Sequence, residues 1–238
     1  MKTIGLIGGM SWESSLEYYR IINEEVKSRL GGFHSCPSVM VSVDFSTVER
    51  LQHQGDWDGL TELLAEAALQ TQRGGAELAV ICTNTMHKLF DAVQARLEIP
   101  LVHIADAAGQ EALRLGLNTV GLLGTRFTME QGFYRERLEQ QGLKVLIPAA
   151  EDRETVHRVI YGELVMGRFT EGARQQFREI IGRLQGAGAQ GIVLGCTEIP
   201  LLVKPGDVPV PLLDTTALHA RLAVAMALAD RSAGQEGV

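Results

Sequence analysis

Ile4-Gly5-Leu6-Ile7-Gly8 recurs as Val120-Gly121-Leu122-Leu123-Gly124, at an offset of 116 residues. A second pair follows in the same order. Gly75-Ala76 leads through Leu78-Ala79-Val80-Ile81 to Cys82-Thr83-Asn84-Thr85, and 113 residues later Gly188-Ala189 leads through Ile192-Val193-Leu194 to Gly195-Cys196-Thr197-Glu198. Glycine after one apolar run is commonplace. Two such matches in one order at nearly equal spacing point to a duplicated unit. A chain of 238 residues has room for two units of roughly 110, each able to bury a core.

Within each half, short β-branched runs alternate with longer amphipathic stretches. Strands are expected near 4–7, 39–43, 78–82, 101–104, 119–123, 145–147, 192–194 and 210–213, and helices over 14–29, 60–72, 129–140, 171–185 and 216–229. This alternation implies an α/β fold with mainly parallel sheets. Continuous apolar strands such as Ile192-Val193-Leu194 suit sheets covered on both faces. The repeat lays Thr83, not Cys82, over Cys196. Both positions fall just past a strand's carboxyl end, where α/β sheets bind ligands. Two facing units would set Thr83 and Cys196 on opposite walls of one cleft. Successive strand side chains alternate faces, so with Thr83 turned to that cleft Cys82 turns into packing.

Apolar residues make up 45% and charged residues 21% of the chain, an ordinary globular balance. The net charge of −7 with no long run of one sign argues against a nucleic-acid or membrane partner. The first apolar stretch is short and glycine-rich, opening a strand rather than a signal peptide. No segment approaches the roughly 20 apolar residues of a membrane span, so a cytoplasmic location is expected. Three cysteines, Cys36, Cys82 and Cys196, form an odd, sparse set that suits a reducing compartment. Cys36, before Pro37 in a turn-like segment, has little claim to chemistry. The six histidines form no H-E-x-x-H pair and no cysteines have C-x-x-C spacing, so no metal is expected.

Gly8-Gly9-Met10-Ser11 follows the first strand and opens a helix that Ser11 can cap, with Glu13 in the first turn. Backbone N–H groups there suit an anion such as a substrate carboxylate; the alternative is a plain tight turn. The dinucleotide pattern G-x-G-x-x-G is not met. Gly124-Thr125-Arg126-Phe127-Thr128 is the equivalent turn of the second half. Thr128 with Gln131 fits a capping box, or Thr125 and Thr128 line a second anion-binding turn. Thr83-Asn84-Thr85 and Cys196-Thr197-Glu198 are dense polar clusters after buried strands. Burying them without partners is costly, so they cap helices or face a polar site. Cys196 is either a small buried hydrophobe or a reactive thiol, with a helix starting near Thr197 expected to lower its pKa. Asp44 suits fixing of loop backbone, and Gln52 is placed to reach the site. His87, four residues after Thr83, suits a structural or orienting role rather than metal binding.

Taken together, Gly8-Gly9-Met10-Ser11-Trp12-Glu13-Ser14, Ser42-Val43-Asp44-Phe45, Thr83-Asn84-Thr85-Met86-His87, Leu123-Gly124-Thr125 with Thr128, and Gly195-Cys196-Thr197-Glu198 resemble the aspartate/glutamate racemase family over nearly the whole chain. The family pattern has cysteine where Thr83 stands. That departure resembles a subgroup of L-aspartate/glutamate-specific racemases that pair threonine with cysteine. The resemblance implies two pseudo-symmetric α/β domains with four-stranded sheets, residues 1–100 plus 214–238 and residues 101–213. It implies an active site in the cleft between them, no cofactor, and a homodimer. It implies substrate contacts from Met10, Gln52, Thr83, Asn84, Thr85, Thr197 and Glu198, with Asn84, Thr85 and Thr197 chiefly on the α-carboxylate.

Racemisation takes the α-hydrogen from one face and returns a proton to the other. No lysine marks a pyridoxal phosphate site, so hydrogen bonds to the carboxylate must stabilise the charge. Cysteine, with a pKa of about 8.5, is a workable base, and threonine is far weaker. Cys196 is thus the expected base toward the L-substrate and Thr83 the donor on the other face. Two rivals are a single-thiol decarboxylase and a non-catalytic amino-acid-binding protein. The preferred side chain is open between aspartate, glutamate, homoserine and other polar amino acids, because no unpaired arginine or lysine clearly marks a carboxylate receptor.

Overall fold

A computed structural model describes residues 1–232. The chain divides into two units. The first holds Met1–His103 and the segment from His219 onward, and the second holds Ile104–Leu218. Residues 233–238, expected in the first domain, lie outside the described residues.

The first unit runs β1 (Ile4–Gly8), α1 (Trp12–Leu30), β2 (Ser38–Ser42), α2 (Phe45–Gln54), α3 (Trp57–Arg73), β3 (Leu78–Ile81), a 3₁₀ turn over Thr85–Leu89, α4 (Phe90–Gln94) and β4 (Leu101–Val102). The second runs α5 (Ile104–Arg114), β5 (Thr119–Gly124), α6 (Arg126–Glu130), α7 (Gly132–Glu139), β6 (Lys144–Leu146), α8 (Ala150–Gly162), α9 (Glu171–Gly186), β7 (Gly191–Gly195), α10 (Ile199–Leu202) and β8 (Leu212–Asp214). The last helix, α11 (Thr215–Ser232), starts there and continues into the first unit.

Each unit is an α/β layer fold with one four-stranded parallel sheet flanked by helices, as the sequence led us to expect. The strand orders are the same, β2-β1-β3-β4 and β6-β5-β7-β8. Every residue of β1, β3 and β7 is buried, whereas the edge strands β2 and β6 are partly exposed. A fully buried Ile, Val or Leu contributes about 1.5–3 kcal/mol by leaving water, so the central strands carry most of the sheet's driving force.

The registers bear on the repeat. Ile7 pairs with Ile81 in the first sheet and Leu123 pairs with Leu194 in the second. One residue further, Cys82 is the counterpart of Gly195, and Thr83 of Cys196.

Several local expectations need correction. Ile104, expected as the end of a strand, begins α5. The expected helix over 129–140 is two helices, broken at Gln131, whose ψ of 145° is extended. The strand expected over 210–213 is Leu212–Asp214. Helices α2, α5 and α8 were not anticipated.

In the first unit, His219 of α11 is completely buried. Its Nε2–H donates to the Val102 carbonyl (2.9 Å), and its Nδ1 accepts from the Tyr18 hydroxyl of α1 (2.8 Å). A carbonyl only accepts, which fixes the tautomer. Burial, and then the neighbouring His87, holds this imidazole's pKa down to about 3. No helix among the described residues is long and apolar enough to cross a membrane.

Candidate active site

Both units build the turn after their first strand in the same way. Ser11 caps α1, its Oγ accepting from the Ser14 N–H (3.4 Å), with the two hydroxyls 3.4 Å apart. Thr125 caps α6, its Oγ1 accepting from the Thr128 N–H (3.4 Å), with those hydroxyls 3.3 Å apart. The cap is therefore Thr125, not Thr128. Thr128 sits three residues inside and is fully buried, so the expected capping box with Gln131 does not form. A Cβ on Gly124 or Gly195 would come within 3.0 Å of Thr128 carbon atoms. These two paired glycines thus make room for Thr128 under the strand ends.

The Gly8-Gly9 step is equally crowded. A Cβ on Gly8 would lie 2.4 Å from Ser15 Oγ, and one on Gly9 only 2.1 Å from the Val43 carbonyl. Gly9 also has φ +92°, which favours glycine. Ser15 Oγ accepts the Gly9 N–H (2.8 Å) and donates to the Ser11 carbonyl (3.1 Å). Two backbone donors at this turn, on Gly9 and Ser14, are thus satisfied internally. Sequence reasoning passed over Ser15; its signal was a hydroxyl four residues after the cap.

In the first unit, β1 and its neighbours end together, with the Cys82 N–H on the Ile7 carbonyl and the Val43 N–H on the Gly8 carbonyl. Met10, Thr83, Asn84 and Thr85 follow these strand ends. Thr83 is half-buried, while Asn84 and Thr85 are buried. The His87 Nδ1–H donates to the Thr83 carbonyl (2.8 Å), and among the described residues no three His, Cys, Asp or Glu side chains are grouped as metal ligands would be. Met10 is buried in the core beside Ile7, Val48 and Met86. Asp44 caps α2, accepting from the Thr47 N–H (3.2 Å). Gln52, on the same helix, is buried, and its amide nitrogen meets no hydrogen-bond partner among the described residues.

In the second unit, Cys196, Thr197 and Glu198 follow β7, next to Thr125 beyond the paired end of β5. The Thr215 hydroxyl, which starts α11, ties the β7 end by donating to the Leu194 carbonyl (2.8 Å). Cys196 is 8% exposed. Its thiol donates to Glu198 Oε2 at 3.0 Å, and the Thr197 hydroxyl donates to the same oxygen at 2.7 Å. The expectation of a lowered thiol pKa is overturned. Burial first, and then the Glu198 carboxylate, push Cys196 well above the ordinary thiol range. Backbone N–H groups of Glu198 and Ile199 pull the other way, but α10 is only four residues long.

The other thiols are worse placed. Cys82 is completely buried, and desolvation raises its pKa strongly. Burial pushes Cys36 up to about 11. Each unit thus gathers its own candidates at the carboxyl edge of its sheet, with Thr83 in the first unit and Cys196 in the second.

The family profile described as Asp/Glu/hydantoin racemase matches residues 7–223. A crystal structure of a candidate Asp/Glu racemase from Yersinia pestis is 52% identical, with a TM-score of 0.91, over 96% of this chain and 100% of that one. An aspartate racemase homologue from Pyrococcus horikoshii is 37% identical, with a TM-score of 0.84, over 95% and 99%. Among curated proteins, a glutamate racemase from Corynebacterium kroppenstedtii is 30% identical over 54% of this chain, and the match spans 44% of that relative's length.

Proposed function

The chain belongs to the Asp/Glu/hydantoin racemase family, and on that premise we propose that it is a cofactor-independent racemase of aspartate or glutamate, acting through Cys196 and Thr83. The observation that carries the reading is the Cys196 thiol hydrogen-bonded to Glu198 at a strand's carboxyl end. A thiol that already donates to a carboxylate has a built-in acceptor for its proton. Glu198 takes that proton as substrate binds, and the thiolate removes the α-hydrogen of the L-enantiomer. Thr83, the counterpart of Cys196 in the repeat, passes its hydroxyl proton to the opposite face as it takes a replacement from solvent, and Glu198 returns its proton to solvent when the product leaves.

Asn84, Thr85 and Thr197 bind the α-carboxylate in this scheme. Their donors stabilise the charge that spreads onto it as the α-hydrogen leaves. Gln52 presents a buried amide N–H₂ that has no other partner among the described residues, which suits it to a substrate oxygen. Thr125 lies beside Cys196 and contacts the substrate, supported from beneath by Thr128; Met10 contacts it from the first unit. The same resemblance makes a homodimer the expected assembly, to be measured by light scattering.

Threonine is a poor base, so turnover from the D-enantiomer is slow to observe. Free enantiomers in water have equal energy, and kcat/KM is therefore equal in the two directions. The one-sidedness lies in saturation and slow turnover rather than in equilibrium. The test is α-deuterium incorporation into L- and D-aspartate and L- and D-glutamate in D₂O. Exchange into the L-forms that disappears in Cys196→Ala supports the scheme. Unchanged exchange in that variant rejects it, and carbon dioxide release from a malonate-type acid would reassign the site to decarboxylation.

A further inference from the structure

The 3₁₀ turn over Thr85–Leu89 brings residues three apart onto one face. Met86 and Leu89 enter the core, and Thr85 and Lys88 share a second face. His87 and Phe90 share the third, their rings nearly parallel at 13° and 6.1 Å between centroids. The His87 ring is 2% exposed and meets His103 and His219 edge-on, at 4.8 and 5.4 Å between centroids. His219 is itself locked between Tyr18 and Val102.

From this enclosure His87 reaches back to the strand end. Its Nδ1–H donates to the Thr83 carbonyl (2.8 Å), and its backbone N–H donates to the Asn84 carbonyl (3.1 Å). We propose that His87 is the positioning residue of the site, holding the Thr83–Asn84 backbone so that the Thr83 hydroxyl stays aimed at the α-carbon. The proposal rests on the reading of Thr83 as proton donor. A hydroxyl on a short side chain follows its backbone closely, and a displacement of about 1 Å in such a group can cost on the order of 10²-fold in rate. Packing alone would need a ring at this position but no N–H. Positioning needs the N–H but no ring.

That contrast supplies the test. His87→Phe keeps a ring against Phe90 and loses the donor. His87→Asn sets an amide N–H near the place of Nδ1 and loses ring volume. Formation of the D-enantiomer from L-aspartate and L-glutamate is followed for both, together with thermal unfolding midpoints. In His87→Phe, kcat for D-enantiomer formation falls about 10- to 100-fold with KM changed less than about threefold. In His87→Asn, kcat returns to within about threefold of wild type, although its unfolding midpoint lies below that of His87→Phe. Activities that follow the midpoints, or an Asn variant as slow as the Phe variant, overturn the proposal. Thr83→Ala separates the two levels. If Thr83→Ala forms the D-enantiomer as fast as wild type, the Thr83 assignment falls and the positioning role with it. If Thr83→Ala forms no D-enantiomer while His87→Phe forms it at the wild-type rate, the positioning role alone is overturned.

Discussion

The Cys196 thiol and the Thr197 hydroxyl converge on one oxygen of Glu198, at 3.0 and 2.7 Å. Two donors on one carboxylate oxygen leave the other oxygen of Glu198 to other partners. Burial first, and then the carboxylate beside it, set the cost of ionising the thiol.

Glu198→Gln separates charge from proton transfer. Without the carboxylate, the charge and the hydrogen bond that raise the Cys196 pKa are gone, so the thiol ionises at lower pH. The midpoint of its alkylation by iodoacetamide, measured against pH, moves down. Exchange of the substrate α-hydrogen nevertheless drops by roughly 10²- to 10⁴-fold, because the acceptor that takes the thiol proton on substrate binding is missing. A midpoint that stays put or rises contradicts this account of Glu198.

Gly195→Ala tests the crowding beneath the thiol. The new Cβ would lie 2.9 Å from the Leu123 carbonyl and 3.0 Å from the Thr128 methyl. The expected cost is about 1–3 kcal/mol, read from urea unfolding, with loss of exchange as Cys196 shifts. An unchanged unfolding midpoint would show that the strand pair yields freely.

Gly9→Ala is more severe. Its Cβ would meet Val43 backbone atoms at 2.1 and 2.6 Å, from a φ of +92°. Strain and clash together exceed about 3 kcal/mol. Ser15→Ala, which strands the Gly9 N–H, costs about 1–3 kcal/mol. Denaturant melts that rank Ser15→Ala as the worse of the two would contradict this ordering.

His219 makes stability depend on acid. Its folded pKa of about 3 lies below the ordinary 6.5, so the unfolded chain binds the proton first. This contribution is complete above pH about 6.5 and is lost as pH falls toward 3, at up to about 1.4 kcal/mol per pH unit. In urea titrations, His219→Gln is less stable at neutral pH but declines less steeply between pH 6.5 and 4. Parallel curves for the two proteins would remove His219 as the cause.

The central strands and the repeat were legible in sequence because β1, β3, β5 and β7 are apolar almost without interruption, and because burial on both faces demands that. Helix α5 was less visible. It carries Gly109 in its interior, which lowers helix propensity, and the reason is tertiary. A Cβ there would sit 2.3 Å from the Gln141 amide oxygen, a side chain 32 positions away. Helix α8 is dominated by charge, and only Val156, Val159 and Ile160 are buried, too few to mark a periodic face. The Thr125 cap was misassigned to Thr128 because either hydroxyl satisfies the local pattern; packing under Gly124 and Gly195 decides between them. The direction of the Cys196 shift was misjudged because a helix start was visible in sequence, whereas the contact with Glu198 depends on how the chain turns after β7.

The first unit is interrupted. It stops at His103 and resumes at His219, the residue whose ring joins α1 to β4. On the ribosome, every residue of Ile104–Leu218 therefore emerges before the first unit can close. Domains generally fold as units during synthesis, so the inserted segment is able to mature while its host waits, with β1 to β4 already made but unlocked. The unit whose sequence begins first is thus the last to have all of its residues in hand.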